Sequence, residues 1–218
     1  GVKMAVAPFG TGNDLARGLG IPREERAWVA EFSSFGSRKI DLGRVNGEVF
    51  ANNTGYGFDA RVAHRVNSGI GVLSGRPAYF AAVALCLADL KAADVEITVD
   101  GSVIQKRVLL SSFANSIFTG GGLPIAPEAK PDDGLLDLII IEEVSRFELI
   151  NSFPLIMNGK HISHPAVSCY RGRVFTLRSG TVQYVHLDGE VRRTDNLDIH
   201  VEPRCLEVMA PKNRHRSP

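Results

Sequence analysis

At 218 residues the chain can form one large domain or two small ones, with a sizeable core. It is 44% hydrophobic and 22% charged, and Lys plus Arg (25) balance Asp plus Glu (24) to a net charge of +1. That is a globular composition, and it excludes a strong electrostatic pull towards nucleic acid. Cys86, Cys169 and Cys205 are far apart, with neither zinc spacing nor a disulfide framework, so they read as small buried apolar residues in a reducing cytoplasm.

In chain order, Met4-Ala5-Val6-Ala7 reads as the end of a buried strand. It runs into Pro8-Phe9-Gly10-Thr11-Gly12-Asn13-Asp14, and Leu15 and Leu19 then lie one helical turn apart. Strand, Gly-Thr-Gly turn and helix start give a phosphate-binding geometry, with a hydroxyl from Thr11 and a cap from Asn13 or Asp14. Ordinary turn chemistry accounts for the same residues equally well. A short amphipathic helix follows over Glu24–Phe35. Lys39–Val45, Asn46-Gly47 and Glu48–Ala51 read as a hairpin. Helices are expected over Asp59–Val66 and Pro77–Lys91, and a second hairpin turns at Asp100-Gly101.

Leu109–Phe118 and Leu135–Ile141 are apolar enough for central strands, separated by a long loop from Gly120-Gly121-Gly122 to Gly134. Arg146–Met157 reads as a helix. Val174–Leu177, Val182–Leu187, Leu197–Val201 and Leu206–Met209 read as four short strands. The expected class is α+β: a β-sandwich-type domain over residues 37–218, attached to a remnant of an α/β nucleotide-binding domain over 1–36. The longest apolar run, Ala78–Ala88, is too short to span a bilayer. Lys212-Asn213-Arg214-His215-Arg216 reads as a solvated basic tail, with attraction to anionic lipid as the second reading.

Three places carry acids. Asp132-Asp133-Gly134 is a turn or a hard-cation loop. His186-Leu187-Asp188-Gly189-Glu190 is a hairpin turn, or a bend presenting two carboxylates for metal orientation and proton acceptance. His186 has no partner in sequence and reads as structural. Asp59 opens a helix and is either a cap or a contact for a polar headgroup.

Taken in order, Gly10-Thr11-Gly12-Asn13-Asp14, Gly57-Phe58-Asp59-Ala60, Gly120-Gly121-Gly122 with Ala126-Pro127, Asp132-Asp133-Gly134-Leu135-Leu136-Asp137 and Leu187-Asp188-Gly189-Glu190 closely resemble the diacylglycerol kinase catalytic-domain family. The resemblance reaches the bacterial soluble lipid kinases and, more distantly, sphingosine kinases and NAD kinases. It implies an ATP-dependent kinase acting on the hydroxyl of diacylglycerol or a related lipid at a membrane surface. ATP and Mg2+ would be the cofactors, and the protein would be cytoplasmic or peripheral to the membrane. Gly10, Thr11, Gly12 and Asn13 would lie at the nucleotide, Asp14 in the acid network around magnesium and phosphates. Glu190 would be the proton acceptor with Asp188 beside it, and Asp59 would bind substrate. A structural magnesium would be held by the Asp133 side chain and the carbonyls of Lys130 and Leu135.

The resemblance departs at one point. The family's upstream Gly-Gly-Asp-Gly-Thr loop, which cradles the ATP phosphates, does not occur in this sequence. The expectation is therefore the C-terminal portion of a longer enzyme, inactive by itself, with Gly120-Gly121-Gly122 no substitute for the cradle. An NAD kinase-like enzyme and a non-catalytic lipid- or partner-binding product are the alternatives. Oligomeric state, a homodimer included, stays open.

Overall fold

The computed structural model describes residues 3–73 and 75–212. A short β1 (Met4–Ala5) leads to α1 (Asp14–Gly18) and α2 (Glu25–Phe32). β2 (Gly36–Val45) and β3 (Glu48–Phe50) form a hairpin, followed by β4 (Asn53–Gly57), α3 (Phe58–Asn67) and α4 (Gly75–Ala88). Then come β5 (Ala93–Val99), β6 (Ser102–Ala114), β7 (Leu136–Glu142) and α5 (Arg146–Met157). β8 (Val167–Gly172), β9 (Val174–Leu187) and β10 (Glu190–Ala210) complete the order.

The chain is mixed α+β and rich in strand, and long bent strands organise it. β6 pairs with β5 through its first half and with β4 through its second. β9 does the same, meeting β5 over Phe175–Ser179 and β4 over Val185–Leu187. β9, β4, β6 and β5 therefore close on themselves as a small barrel, which leaves its members no open edge. β7 and β8 extend the sheet beyond β6, and β10, β2 and β3 extend it beyond β9. Phe113 and Phe175, both 0% exposed, meet edge to face in the barrel with ring centroids 5.4 Å apart. Tyr56, Ile97, Leu138 and Leu177 pack with them.

The four short strands expected near the C-terminus are two long ones. In β9 the register slips around Ser179-Gly180-Thr181, opposite Asp195, where the strand changes partner from β5 to β4. In β10 it slips between Glu202 and Leu206. There Pro203 has no amide to give, and Arg204 takes φ 50°. Both bulges look like strand ends in sequence. Likewise β6 runs unbroken instead of as a hairpin arm and a separate central strand, and β4 and β8 are strands with no counterpart in the sequence expectations.

The N-terminal segment packs at one end of this sheet. Ala16, Leu19, Ile21 and Phe35 bury against Ile40 of β2 and Val208 of β10. β1 pairs in parallel with the end of β10, Met4 opposite Val208, but it is exposed, not the buried strand the sequence suggested. Cys86 is buried as expected, whereas Cys169 and Cys205 are exposed. Beyond Lys212, the basic tail lies outside the described residues.

Candidate active site

The Gly-Thr-Gly turn is built by Asn13. Its backbone is left-handed, φ 55°, a region asparagine tolerates better than most residues. Its side chain makes no cap to α1. Instead Oδ1 accepts from the Gly10 amide at 3.0 Å, and Nδ2 donates to the carbonyls of Pro8 and Gly10 at 2.8 and 2.7 Å. α1 is only five residues long, so its dipole adds little and any anion here would meet amides and the Thr11 hydroxyl.

Asp14 opens α1 and leaves the turn. Its Oδ2 accepts the Gly121 amide at 2.9 Å, and Arg17 donates to the Gly121 carbonyl at 3.2 Å. The triglycine loop, set apart from this turn in the sequence reading, is its direct partner. Asp14 Oδ1 is buried without a hydrogen bond. Burial raises the Asp14 pKa, against the opposing pull of the Gly121 amide and Arg17.

Asp59 sits in the first turn of α3, its Oδ1 accepting from the Ala60 amide at 2.8 Å. Its Oδ2 lies 3.3 Å from His186 Nε2. His186, 4% exposed, thus has the partner its sequence neighbours did not show. Tyr79 of α4 lies nearby; burial, reinforced by the charges of Asp59 and Asp14, pushes its phenol well above the ordinary value. It is therefore a neutral hydroxyl.

Asp188 and Gly189, at φ 48° and 94°, form the β9–β10 turn, as hairpins with two left-handed residues require. The turn and the site readings of this bend are compatible. Asp188 spends its carboxylate on three amides: Ala51 at 2.7 Å, and Asn52 and Asn53 at 2.9 Å each. It fastens the β3–β4 connection to the turn. Glu190 stands one residue further on, its side chain 76% exposed and 3.1 Å from Arg192.

These groups surround one cleft of about 480 Å³. Thr11, Gly12, Asn13 and Asp14 form one wall; Asp59, His186, Asp188 and Gly189 form the other. Asn52, Asn53 and Thr119, which no sequence motif marks, add polar groups, and Val6, Leu15, Ala63 and Val66 add apolar surface. Gly10 and Glu190 lie outside its lining. Asp59, Tyr79 and Thr119 also border a second cavity of about 250 Å³ between α4 and α5. That chamber is apolar, with Phe80, Val83, Leu110, Ile141, Phe153 and Ile156 on its walls.

The loop at Lys130–Leu135 lies outside the cleft lining. Asp133 Oδ1 accepts from the Leu135 amide at 3.1 Å, and its Oδ2 is held by Arg171. Arg171 also reaches Asp137 at 3.2 Å. Among the described residues no three His, Cys, Asp or Glu side chains group as metal ligands. As folded, this loop does not fit a dication, because a guanidinium already neutralises the carboxylate that would bind it.

Residues 52–210 match the family described as the YegS C-terminal NAD kinase beta sandwich-like domain. A diacylglycerol kinase of Staphylococcus aureus is 31% identical over 211 residues, 97% of this chain and 67% of that protein. One from Bacillus subtilis is 31% identical over 188 residues, 86% of this chain and 62% of that protein. In fold, the chain resembles the crystal structure of a putative diacylglycerol kinase from Bacillus anthracis, with a TM-score of 0.73 at 21% identity over 95% of this chain and 69% of that one. The chain thus spans about two thirds of the length of these relatives. It belongs to the YegS C-terminal NAD kinase beta sandwich-like family and is homologous to the C-terminal portion of bacterial diacylglycerol kinases.

Proposed function

We propose that this chain carries the acceptor-binding half of an ATP-dependent lipid kinase. One observation supports this above the others: the cleft that gathers Asp14, Asp59, His186 and Asp188 and the apolar chamber share Asp59, Tyr79 and Thr119 as a common wall. A molecule with a hydroxyl at one end and an acyl chain at the other matches that pair of environments. A nucleotide acceptor such as NAD carries no acyl chain to fill the space among Phe80, Leu110 and Phe153.

In this reading residues 1–36 belong to the nucleotide-binding part. The Thr11 hydroxyl and the Gly12 and Asn13 backbone would face the ATP phosphates, and Gly10, its amide and carbonyl both bonded to the Asn13 side chain, would shape the turn. Asp14 Oδ1, an anionic oxygen buried beside the cleft without a hydrogen bond and 3.8 Å from Arg17 Nε, would help place a hard cation. When bound, Mg2+ would neutralise phosphate charge. Asp59 would accept the hydrogen bond of the lipid hydroxyl. That hydroxyl has a single hydrogen, so it would turn about the C–O bond from Asp59 to Glu190 as Glu190 takes the proton, and Asp188 would hold the bend that presents Glu190. We carry the Lys130, Asp133 and Leu135 set forward as a magnesium loop on one condition, that Arg171 leaves Asp133.

The test is binding by the chain as it stands. Calorimetry should show dioctanoylglycerol binding and no heat with NAD. The reverse pattern would replace this reading with that of an NAD kinase-like enzyme. In a version joined to an ATP-binding domain, label should pass from ATP to the lipid, and Glu190→Ala should abolish that transfer; retained turnover would remove Glu190 from the acceptor role.

A further inference from the structure

His186 occupies a position that its neighbours leave little freedom. Its backbone pairs with Gly55 across β4 and β9, and its carbonyl accepts the Thr54 hydroxyl at 2.8 Å. Its ring then bridges two elements of the site. Nδ1 lies 3.4 Å from the amide of Gly189 in the β9–β10 turn, and Nε2 lies 3.3 Å from Asp59 on α3.

The network assigns the tautomer: a main-chain amide can only donate, so the Gly189 contact at 3.4 Å gives Nδ1 the acceptor role and Nε2 the hydrogen. Nε2–H then points at the Asp59 carboxylate. The fold also reserves space for this contact. A Cβ at Gly55 would come within 1.9 Å of Asp59 Oδ2 and 2.6 Å of His186 Nε2. Any side chain there would force the pair apart.

Asp59 is the acid on the wall between cleft and chamber, its side chain 14% exposed. The Ala60 amide takes one lone pair and His186 another, so lone pairs remain on both oxygens. Without His186, this carboxylate could rotate about its last torsion, which is a soft one.

We infer that His186 is a positioning residue for the acceptor: through Nε2–H it orients the Asp59 carboxylate so that a free lone pair meets the hydroxyl of the bound lipid alcohol. The inference rests on the lipid-acceptor reading for what Asp59 receives, but not for the His186–Asp59 hold. Through Gly189, the same ring ties Asp59 to the turn that carries Asp188 and Glu190. The acid that binds the hydroxyl and the bend that presents the proton acceptor are thereby fixed to one imidazole.

Two substitutions separate the two ring contacts. His186→Gln places an amide N–H near the Nε2 position and keeps a donor for Asp59. His186→Asn keeps an acceptor near Nδ1 for Gly189 but cannot reach Asp59. The probes are dioctanoylglycerol and its analogue with the free hydroxyl replaced by hydrogen. The wild type and His186→Gln should favour the alcohol, and His186→Asn should lose about tenfold of that preference, the order of one hydrogen bond to a charged group. The analogue itself should bind all three alike. Equal preference in His186→Asn and the wild type would overturn the inference.

A ligand-free arm decides the hold by itself. Two-bond nitrogen–proton NMR of the His186 ring should show the Nε2–H tautomer, with the Nε2 signal moving in Asp59→Asn. A ring protonated on Nδ1, or one indifferent to Asp59→Asn, would overturn the inference. Should the wild type bind neither lipid while the ring shows the expected tautomer and response, the lipid-acceptor reading fails and the His186–Asp59 hold stands.

Discussion

The amide of Gly121 donates to Asp14 Oδ2 at 2.9 Å and joins two loops 107 positions apart. The contact brings the Gly-Thr-Gly turn and the triglycine loop to one edge of the cleft. It also keeps an ionisable group out of water. Burial raises the Asp14 pKa above its ordinary 3.8, so the ionised form costs stability once the pH passes the unfolded value.

Two substitutions of Asp14 should therefore behave differently. Asp14→Asn keeps an oxygen for Gly121 and removes the buried charge, so its melting temperature at neutral pH should match or exceed that of the wild type. Asp14→Ala loses the acceptor, and Gly121 should exchange its amide hydrogen about tenfold faster, as for one lost charge-assisted bond. Hydrogen exchange with mass spectrometry reads the second, and a thermal melt the first. An Asp14→Asn protein that melts well below the wild type would show that the charge supports the fold.

The apolar chamber offers a test of substrate shape. Ala84 of α4 borders it and is itself exposed, so enlarging this side chain does not overpack the barrel core. Ala84→Trp adds well over a methyl group's volume to a space of about 250 Å³. Dioctanoylglycerol should bind about tenfold more weakly, while short-chain diacetylglycerol binding and the melting curve change little. Equal loss for both lipids would mean that the chamber does not hold the acyl chain.

Much of the fold could be read from patterning. The hairpin at Asn46-Gly47, the helix over Arg146–Met157 and the strand ending at Ile141 follow local rules of turn chemistry and periodicity. The bulges at Gly180 and Pro203 misled, because glycine and proline mark both a strand's end and a strand's bend. The site was legible only where it is local. Asp14, Asp59 and Asp188 announced themselves beside glycines. The His186–Asp59 contact spans 127 positions, and the Asn52, Asn53 and Thr119 lining depends on how β4 meets the triglycine loop. No spacing rule carries that information.

Asp137 makes stability depend on acid. Its pKa is raised to about 6 from the ordinary 3.8, chiefly by burial, with Arg171 opposing and Asp133 adding to the rise. The folded state binds this proton more tightly than the unfolded state, so the contribution is full below the unfolded value. It is lost as the pH rises through the folded one. Urea midpoints should therefore gain less, or fall, between about pH 4 and pH 6 in the wild type relative to Asp137→Asn. Parallel pH profiles for the two proteins would mean that Asp137 titrates normally.

Arg171 decides whether the Lys130–Leu135 loop responds to magnesium. Its guanidinium lies on Asp133 and reaches Asp137 at 3.2 Å, and Asp137 Oδ2 is buried without any hydrogen bond. An internal cation therefore stands where the family resemblance puts a metal ion. Two cations cannot share Asp133 cheaply, since like charges at contact repel strongly wherever water is scarce. Millimolar magnesium should leave the melting temperature of the wild type nearly unchanged. Arg171→Gln removes the competing charge and leaves two acids facing each other, so it should melt several degrees lower, as for a broken partly buried pair. Magnesium should then restore part of that loss, and Asp133→Ala in the same background should abolish the rescue. A wild-type melt raised by magnesium, and insensitive to Asp133→Ala, would place the ion elsewhere, with Asp14 beside the cleft as the next carboxylate to test.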